Sequence, residues 1–192
     1  MPSGYRLDVG VPRQDRKCSF LPTKIGPHRT IANCFPFDQV ITFGFDSFQA
    51  YIGPGTNVAD RSKNCQLHLT VNYPKGYNFA VLSSTYHGFA LLEQGVDADF
   101  FSTYYYSQKA SDTFTTRTTI SGGGVWSDGQ VYTKEDVVPQ PIVKAPCGDT
   151  AILNINNRIN LKSNNNGASG MITNDDATVD LSQQLVINWY QC

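Results

Sequence analysis

With 192 residues, 15 basic against 16 acidic side chains and a formal net charge of -1, the chain is long enough for one sizeable core and lacks the basic excess that marks nucleic-acid binders. Only 16% of its residues are charged, and its many Thr, Ser, Asn, Gly and Tyr residues favour strands and polar turns over exposed helices. No apolar run approaches the roughly 20 residues that a membrane helix needs, so neither nucleic acid nor a bilayer is an expected partner.

Residues 1–17 read as a polar N-terminal leader, in which Arg13, Arg16 and Lys17 are a solvated basic group. Met1 to Asp15 has no apolar stretch of the kind a secretory signal requires; the expectation is a secreted chain whose signal has been removed. Residues 18–192 are expected to form a single domain. Ile41, Phe43 and Phe45 share one face, whereas Phe48, Ala50 and Ile52 follow the opposite parity, which predicts a β-bulge or a strand that changes sheets. Gly53, Pro54 and Gly55 end that stretch, and Thr56 to Asn64, polar and without period, reads as an exposed loop.

Gln66 to Tyr73 alternates apolar and polar side chains, the pattern of a half-buried strand. Pro74, Lys75 and Gly76 then predict a turn, and Tyr77, Phe79, Val81 and Leu82 a return strand, so the two form a hairpin. Further strands are predicted over Phe100 to Ser107 and Thr113 to Ile120, with a turn near Ala110 to Asp112. Gly122 to Gly124 break the run, Gln130 to Tyr132 resumes it, and the prolines at 139, 141 and 146 place Val137 to Ala145 at an edge or in an extended connection. Leu153, Ile155, Ile159 and Leu161 share a parity, Asn164 to Gly170 is a polar loop, and Leu185, Ile187 and Trp189 mark a closing strand. Roughly eight to ten strands without a helix predict an all-β, antiparallel two-sheet β-sandwich of jelly-roll or Greek-key type.

Five cysteines, Cys18, Cys34, Cys65, Cys147 and Cys192, lie at segment boundaries, the placement of disulfide staples in an oxidising, extracellular compartment. An odd count leaves one without an intramolecular partner, and five choices of that residue times three pairings of the rest give 15 frameworks. Cys34 is the candidate free thiol. His28, His68 and His87 are far apart and fit no metal motif, so no metal or cofactor is expected. Among carboxylates, Asp97 with Asp99 can share a strand face, as the paired acids of a glycosidase would; Glu135 with Asp136 and Asp175 with Asp176 read as solvated or turn-forming pairs. The run Tyr104, Tyr105, Tyr106 must turn at least one ring outward on a strand, and these tyrosines, with Trp126, are the candidate binding residues.

The segments FDSFQAYIGPG, DRSKNCQLHLTVNYPKGYNFAVLSSTYHGFALLEQGV, STYYYS, APCG, LNINNRINLKS and INWYQC, taken in order from Asp38 to Cys192, resemble a family of small secreted proteins of unknown function found in filamentous fungi and in bacteria. The shared elements are Lys63 to Leu67, Tyr86 to Ala90, Ser102 to Tyr106, Pro146 to Gly148 and Trp189 to Cys192. The resemblance implies secretion, a β-sandwich, and bridges Cys18–Cys65 and Cys147–Cys192. Cys34 has no counterpart in its pattern, and no catalytic residues come with it. The functional expectation is a secreted, non-enzymatic binding protein acting at a cell wall or on a host or competitor molecule, with a glycan or an extracellular protein as partner. The alternatives are a carbohydrate-active hydrolase built on a spatially assembled carboxylate pair, and a structural wall or matrix protein.

Overall fold

The computed structural model describes residues 6–10, 39–44, 48–139, 143–173 and 182–192. The described strands are β1 (Arg6–Gly10), β2 (Gln39–Gly44), β3 (Gln49–Ile52), β4 (Ser62–Leu92), β5 (Val96–Tyr106), β6 (Lys109–Ser121), β7 (Gln130–Val137), β8 (Gly148–Ser163), β9 (Gly170–Thr173) and β10 (Ser182–Gln191). The helical elements among the described residues are two short 3-10 turns, Val58–Arg61 and Gly124–Asp128. The predicted all-β, antiparallel class is what the chain adopts. Cys18 and Cys34 lie outside the described residues, as do Asp175 and Asp176.

β4, 31 residues long, organises the rest. Its first part pairs with β1 on one edge and β8 on the other, Leu69 lying opposite both Val9 and Leu153. Its second part pairs with β10, β7 and β9. β5 extends the first half beside β8, β6 extends it beyond β5, and β2 flanks β10. All of these strands therefore belong to one hydrogen-bonded sheet, in place of the two separate sheets that the sequence predicts. Side chains from the two halves meet across the core: Phe79 of β4 stands edge-on to Tyr106 of β5, and Phe100 of β5 packs against Tyr132 of β7.

The predicted hairpin around Pro74 to Gly76 does not form. Both edges of residues 68–72 are already taken by β1 and β8, so no place remains there for a return strand. The chain instead continues through an irregularity: Asn72 pairs with Thr150 and Tyr77 with Gly148, leaving four residues of β4 opposite one of β8. Pro74 has no N–H to offer a ladder, and Gly76 takes a positive φ of 87° that other residues rarely adopt. A second register shift, between Val186 and Ile187 of β10, moves β4's inward parity from Phe79 and Val81 to Ser84 and Tyr86.

Other differences are local. The parity change between Ile41 and Ile52 separates two strands, β2 and β3, which pair with different partners. The connection expected near Ala110 to Asp112 lies earlier, at Ser107 and Gln108, and the later residues belong to β6. Part of the expected polar leader, Arg6–Gly10, is paired with β4. The Tyr86 to Ala90 element contains a glycine that close packing demands, because a Cβ on Gly88 would lie 2.3 Å from both the Tyr132 hydroxyl and the Thr173 carbonyl oxygen.

A disulfide joins Cys147 to Cys192 with a sequence separation of 45, and the Cys192 N–H donates to the Gly76 carbonyl at 2.8 Å. The C-terminus is thereby tied to the β4 irregularity. Cys65, fully buried, is also disulfide-bonded. In the chain-entropy model a loop of this size contributes about 4 kcal/mol. Replacing both Cys147 and Cys192 by serine is expected to lower the unfolding free energy by that order, read as a fall in the urea midpoint; an unchanged midpoint would show that β10 holds the terminus without the bridge.

Candidate functional site

β5 alternates strictly: Val96, Ala98, Phe100, Ser102, Tyr104 and Tyr106 point into the core, while Asp97, Phe101, Thr103 and Tyr105 lie on the outer face with Asp99. Tyr104 and Tyr106 are 0% and 1% exposed, which removes them as surface contacts and leaves Tyr105 as the outward member of the run. Trp126 sits in the 3-10 turn Gly124–Asp128, half-buried against the core. That turn follows the β6 residues opposite the Val96 end of β5, about 30 Å from Tyr105 by the rise of a strand. The structure therefore does not bring Trp126 and Tyr105 into one site.

Outward residues of four strands line up in rows across the first half of the sheet. Asn64, Arg158, Phe101 and Arg117 form one row, and Gln66, Asn156, Thr103 and Thr115 the next. His68, Asn154 and Tyr105 form a third, in which Asn154 is covered and hydrogen-bonded to His68 and Ser107. With strand spacings near 4.8 Å and two-residue repeats along each strand, the rows span on the order of 14 by 13 Å. The Phe101 ring has a guanidinium on each side in sequence register, Arg158 at 4.4 Å from its centroid and Arg117 at 5.5 Å. Gln66 Nε2 donates to the Tyr105 hydroxyl at 3.3 Å, Thr103 and Thr115 hydroxyls bond at 2.9 Å, and His68 Nδ1 is hydrogen-bonded to Asn154 Oδ1. The face thus offers two aromatic rings, guanidinium groups, amides and hydroxyls.

The two carboxylates that the sequence singles out lie at one end of this face, engaged in ion pairs. Arg117 Nη2 donates to both oxygens of Asp99 at 3.1 Å, Thr119 Oγ1 to one at 2.5 Å, and Lys162 Nζ lies 3.2 Å from Asp99 and 3.8 Å from Asp97. Burial pushes the Asp99 pKa up, but the bonds from Thr119, Arg117 and Lys162 together outweigh it and hold the group below its ordinary value. A general acid needs the opposite shift. Asp136 is buried and accepts from Thr116 at 2.9 Å and Thr118 at 2.7 Å, joining β7 to β6. Among the described residues no cluster of three metal-ligating side chains exists.

Beneath the face lies a buried polar network that spans both halves of the sheet. Asn157 Nδ2 donates to Gln183 Oε1 at 2.7 Å, and Gln183 Nε2 donates to Ser84 Oγ at 2.8 Å and to the Tyr86 hydroxyl at 3.0 Å. Tyr86 and Tyr104 hydroxyls are 2.8 Å apart, Tyr86 also bonds Ser102, and Ser102 donates to Asn157 Oδ1 at 2.8 Å. Burial, with Tyr104 beside it, raises the Tyr86 pKa well above its usual value; burial likewise pushes Tyr104 up to about 12. Both phenols stay protonated and act as hydrogen-bonding struts. Such a network stabilises only when every member is satisfied.

Sequence reasoning did not single out Phe101, Arg117 or Arg158. Their outward parity was readable on each strand, but their convergence depends on the pairing of β6, β5 and β8, which are separated in sequence by up to 57 residues in that row. The buried network left a clearer trace, since Asn157 interrupts an apolar series of odd-numbered residues from Leu153 to Leu161.

The model of a family described as "Domain of unknown function (DUF4360)" matches residues 28–192. An uncharacterised secreted protein of Arthroderma benhamiae is 35% identical over 167 residues, covering 86% of this chain; the chain spans 66% of that relative's length. Like that relative, the protein is secreted, and no helix among the described residues is long and apolar enough to cross a membrane. Among solved structures, TmCBM61 in complex with beta-1,4-galactotriose is 12% identical, covering 99% of this chain and 90% of that one with a TM-score of 0.26. The enzymatically active domain of bacteriophage CBA120 tailspike protein 4 is also 12% identical, over 98% of this chain and 20% of its own, with a TM-score of 0.26. At those scores neither bears on fold or ligand.

Replacing Gln183 by leucine orphans donors or acceptors on Asn157, Ser84 and Tyr86, at about 1 to 3 kcal/mol for each buried group left unpaired. A clear drop in the urea midpoint is expected; a neutral result would show that the network is dispensable. Asp99 behaves differently with pH. Its folded-state pKa lies below the unfolded value, so its contribution is present above about pH 4 and is lost as pH falls through the folded pKa. Asp99→Asn should therefore reduce the thermal midpoint at pH 7, with the gap from the parent closing towards pH 2; a gap that persists there would refute the ionic origin.

Proposed function

The chain belongs to the DUF4360 family, and we propose that it is a secreted binding protein without catalytic activity, whose contact surface is the outer face of β4, β8, β5 and β6. The observation that carries this reading is the row structure of that face. Phe101 and Tyr105 present half-buried rings among amides, hydroxyls and guanidinium groups, all fixed on paired strands. Side chains mounted on a sheet lose little further freedom on binding, which lowers the cost of association.

The same face supplies the reason to prefer binding over hydrolysis. Asp97 and Asp99 are consumed by Lys162 and Arg117, and the low pKa of Asp99 leaves it no proton to donate near neutral pH. A glycan partner suits the face better than a protein one. Among the described residues the exposed large hydrophobic side chains are Val58, Val125, Val131 and Val137, none of them on this face, whereas protein interfaces are built around apolar anchors.

Binding is to be measured with the purified secreted chain against cellulose, chitin, β-glucan and polygalacturonate. Tyr105→Ala is expected to weaken the retained ligand about tenfold, with an unchanged thermal midpoint, in line with the loss of one aromatic contact. Saturable binding that survives Tyr105→Ala undiminished would place the contact elsewhere, and turnover of any of these polymers would sink the non-enzymatic reading.

A further inference from the structure

The charges on the outer face are not all balanced within it. Asp99 is shared by Arg117 and Lys162, and Asp97 is approached by Lys162. Arg158 is exposed, and among the described residues no carboxylate lies within ion-pair distance of it and no hydrogen bond engages its guanidinium. It is nonetheless supported, because Cζ lies over the Phe101 ring, 4.4 Å from its centroid. Stacking leaves the edge N–H groups of a guanidinium free, and those groups match a carboxylate bidentately. A cation supported by a ring, exposed, and without a counter-ion among the described residues is a ready-made anion contact.

The surroundings narrow the anion. Asn64 and Asn156 flank Arg158 by register, with Asn160 two residues along its own strand and Thr103 and Thr115 in the adjoining row. These are neutral donors and acceptors of the kind that read sugar hydroxyls, and among the described residues no second unpaired cation lies beside Arg158 to favour a dense polyanion. Asp97 and Asp99 pair with Arg117 and Lys162 at one end of the face, so that end supplies no surplus positive charge for closely spaced sulfates. One carboxylate set among hydroxyls is the chemistry of a hexuronic acid.

Resting on the binding reading above, we infer that the ligand of this face is an acidic polysaccharide of uronic-acid type, with one carboxylate bound by Arg158 and the flanking hydroxyls read by the amides around it. Phe101 positions the guanidinium, and Tyr105 lies two rows' spacing away along β5, at the distance where a further sugar of the same chain would stack.

The test is isothermal titration of the full secreted chain with short oligogalacturonates and with the same oligomers methyl-esterified, which keep the shape but lose the charge. Esterification is expected to weaken binding about tenfold or more, the usual effect of losing a charge-assisted pair. Arg158→Ala should weaken the acid form to a similar extent while leaving the weak ester binding unchanged. Arg158→Lys, which keeps the charge but not the fork, should restore affinity only in part, and removal of the exposed Lys75, in the β4 irregularity, should change nothing. Binding of the acid form should also weaken with added salt.

Equal affinity for acid and ester, with Tyr105→Ala still weakening both, would overturn the uronate assignment and leave the binding face intact. Binding indifferent to both Arg158→Ala and Tyr105→Ala would overturn the face itself. No binding of either oligomer, or dextran sulfate bound as tightly as oligogalacturonate, would also overturn the assignment.

Discussion

β4 has neighbours on both of its edges along its first half and again along its second, and nearly every other strand takes its position from that. Because β1 and β8 occupy the two edges of residues 68–72, the chain cannot fold back at Pro74 to Gly76 and must run on into the second half. It absorbs the change of direction in four unpaired residues. The two halves then face each other as parts of one sheet, and the C-terminus is tied to the irregularity through the Gly76 carbonyl and the Cys147–Cys192 bridge. A backbone hydrogen-bonding constraint thus decides where the staple falls.

The interior is not uniformly apolar, and its polar part matters for orientation. Hydrophobic contacts such as Phe79 on Tyr106 tolerate some sliding, whereas the Asn157, Gln183, Ser84, Tyr86, Ser102 and Tyr104 network has fixed donors and acceptors drawn from four strands. A slip of one residue in β4, β5, β8 or β10 would leave several of those groups buried and unpaired. The network therefore holds the register that sets the rows on the outer face. Interior polarity and surface recognition are linked through the same strands: Asn157 points in beside Arg158, which points out.

The outer face separates groups that balance each other from groups that do not. Asp99 gathers Arg117, Lys162 and Thr119 into a closed cluster, so carboxylates that could pass for a catalytic pair serve as an ionic clamp across β5, β6 and β8. Arg158, on the far side of Phe101 from Arg117, is left with a ring for support and no counter-ion among the described residues. Surface ion pairs add little stability, and the greater consequence of the Asp99 cluster is that it leaves Arg158 as the unneutralised cation of its row.

Much of this was legible in the amino-acid order. The alternation of Gln66 to Tyr73 and of Leu153 to Leu161, the parity of Tyr105 opposite to that of Tyr104 and Tyr106, and the all-β class follow from the two-residue period of a strand, a local property that any extended segment expresses. The conversion of the Pro74 to Gly76 turn into an irregularity, and the burial of Tyr104 and Tyr106 together, depended on which strands had already claimed the edges and faces nearby. Local sequence carries no record of that. Phe101, Arg117 and Arg158 meet because β6, β5 and β8 pair in one register, and register is set by long-range hydrogen bonds and core packing. The alternation along each strand tells which side chains can face outward; the long-range pairing of β6, β5 and β8 sets which of them stand together, and leaves Arg158 without a counter-ion among the described residues.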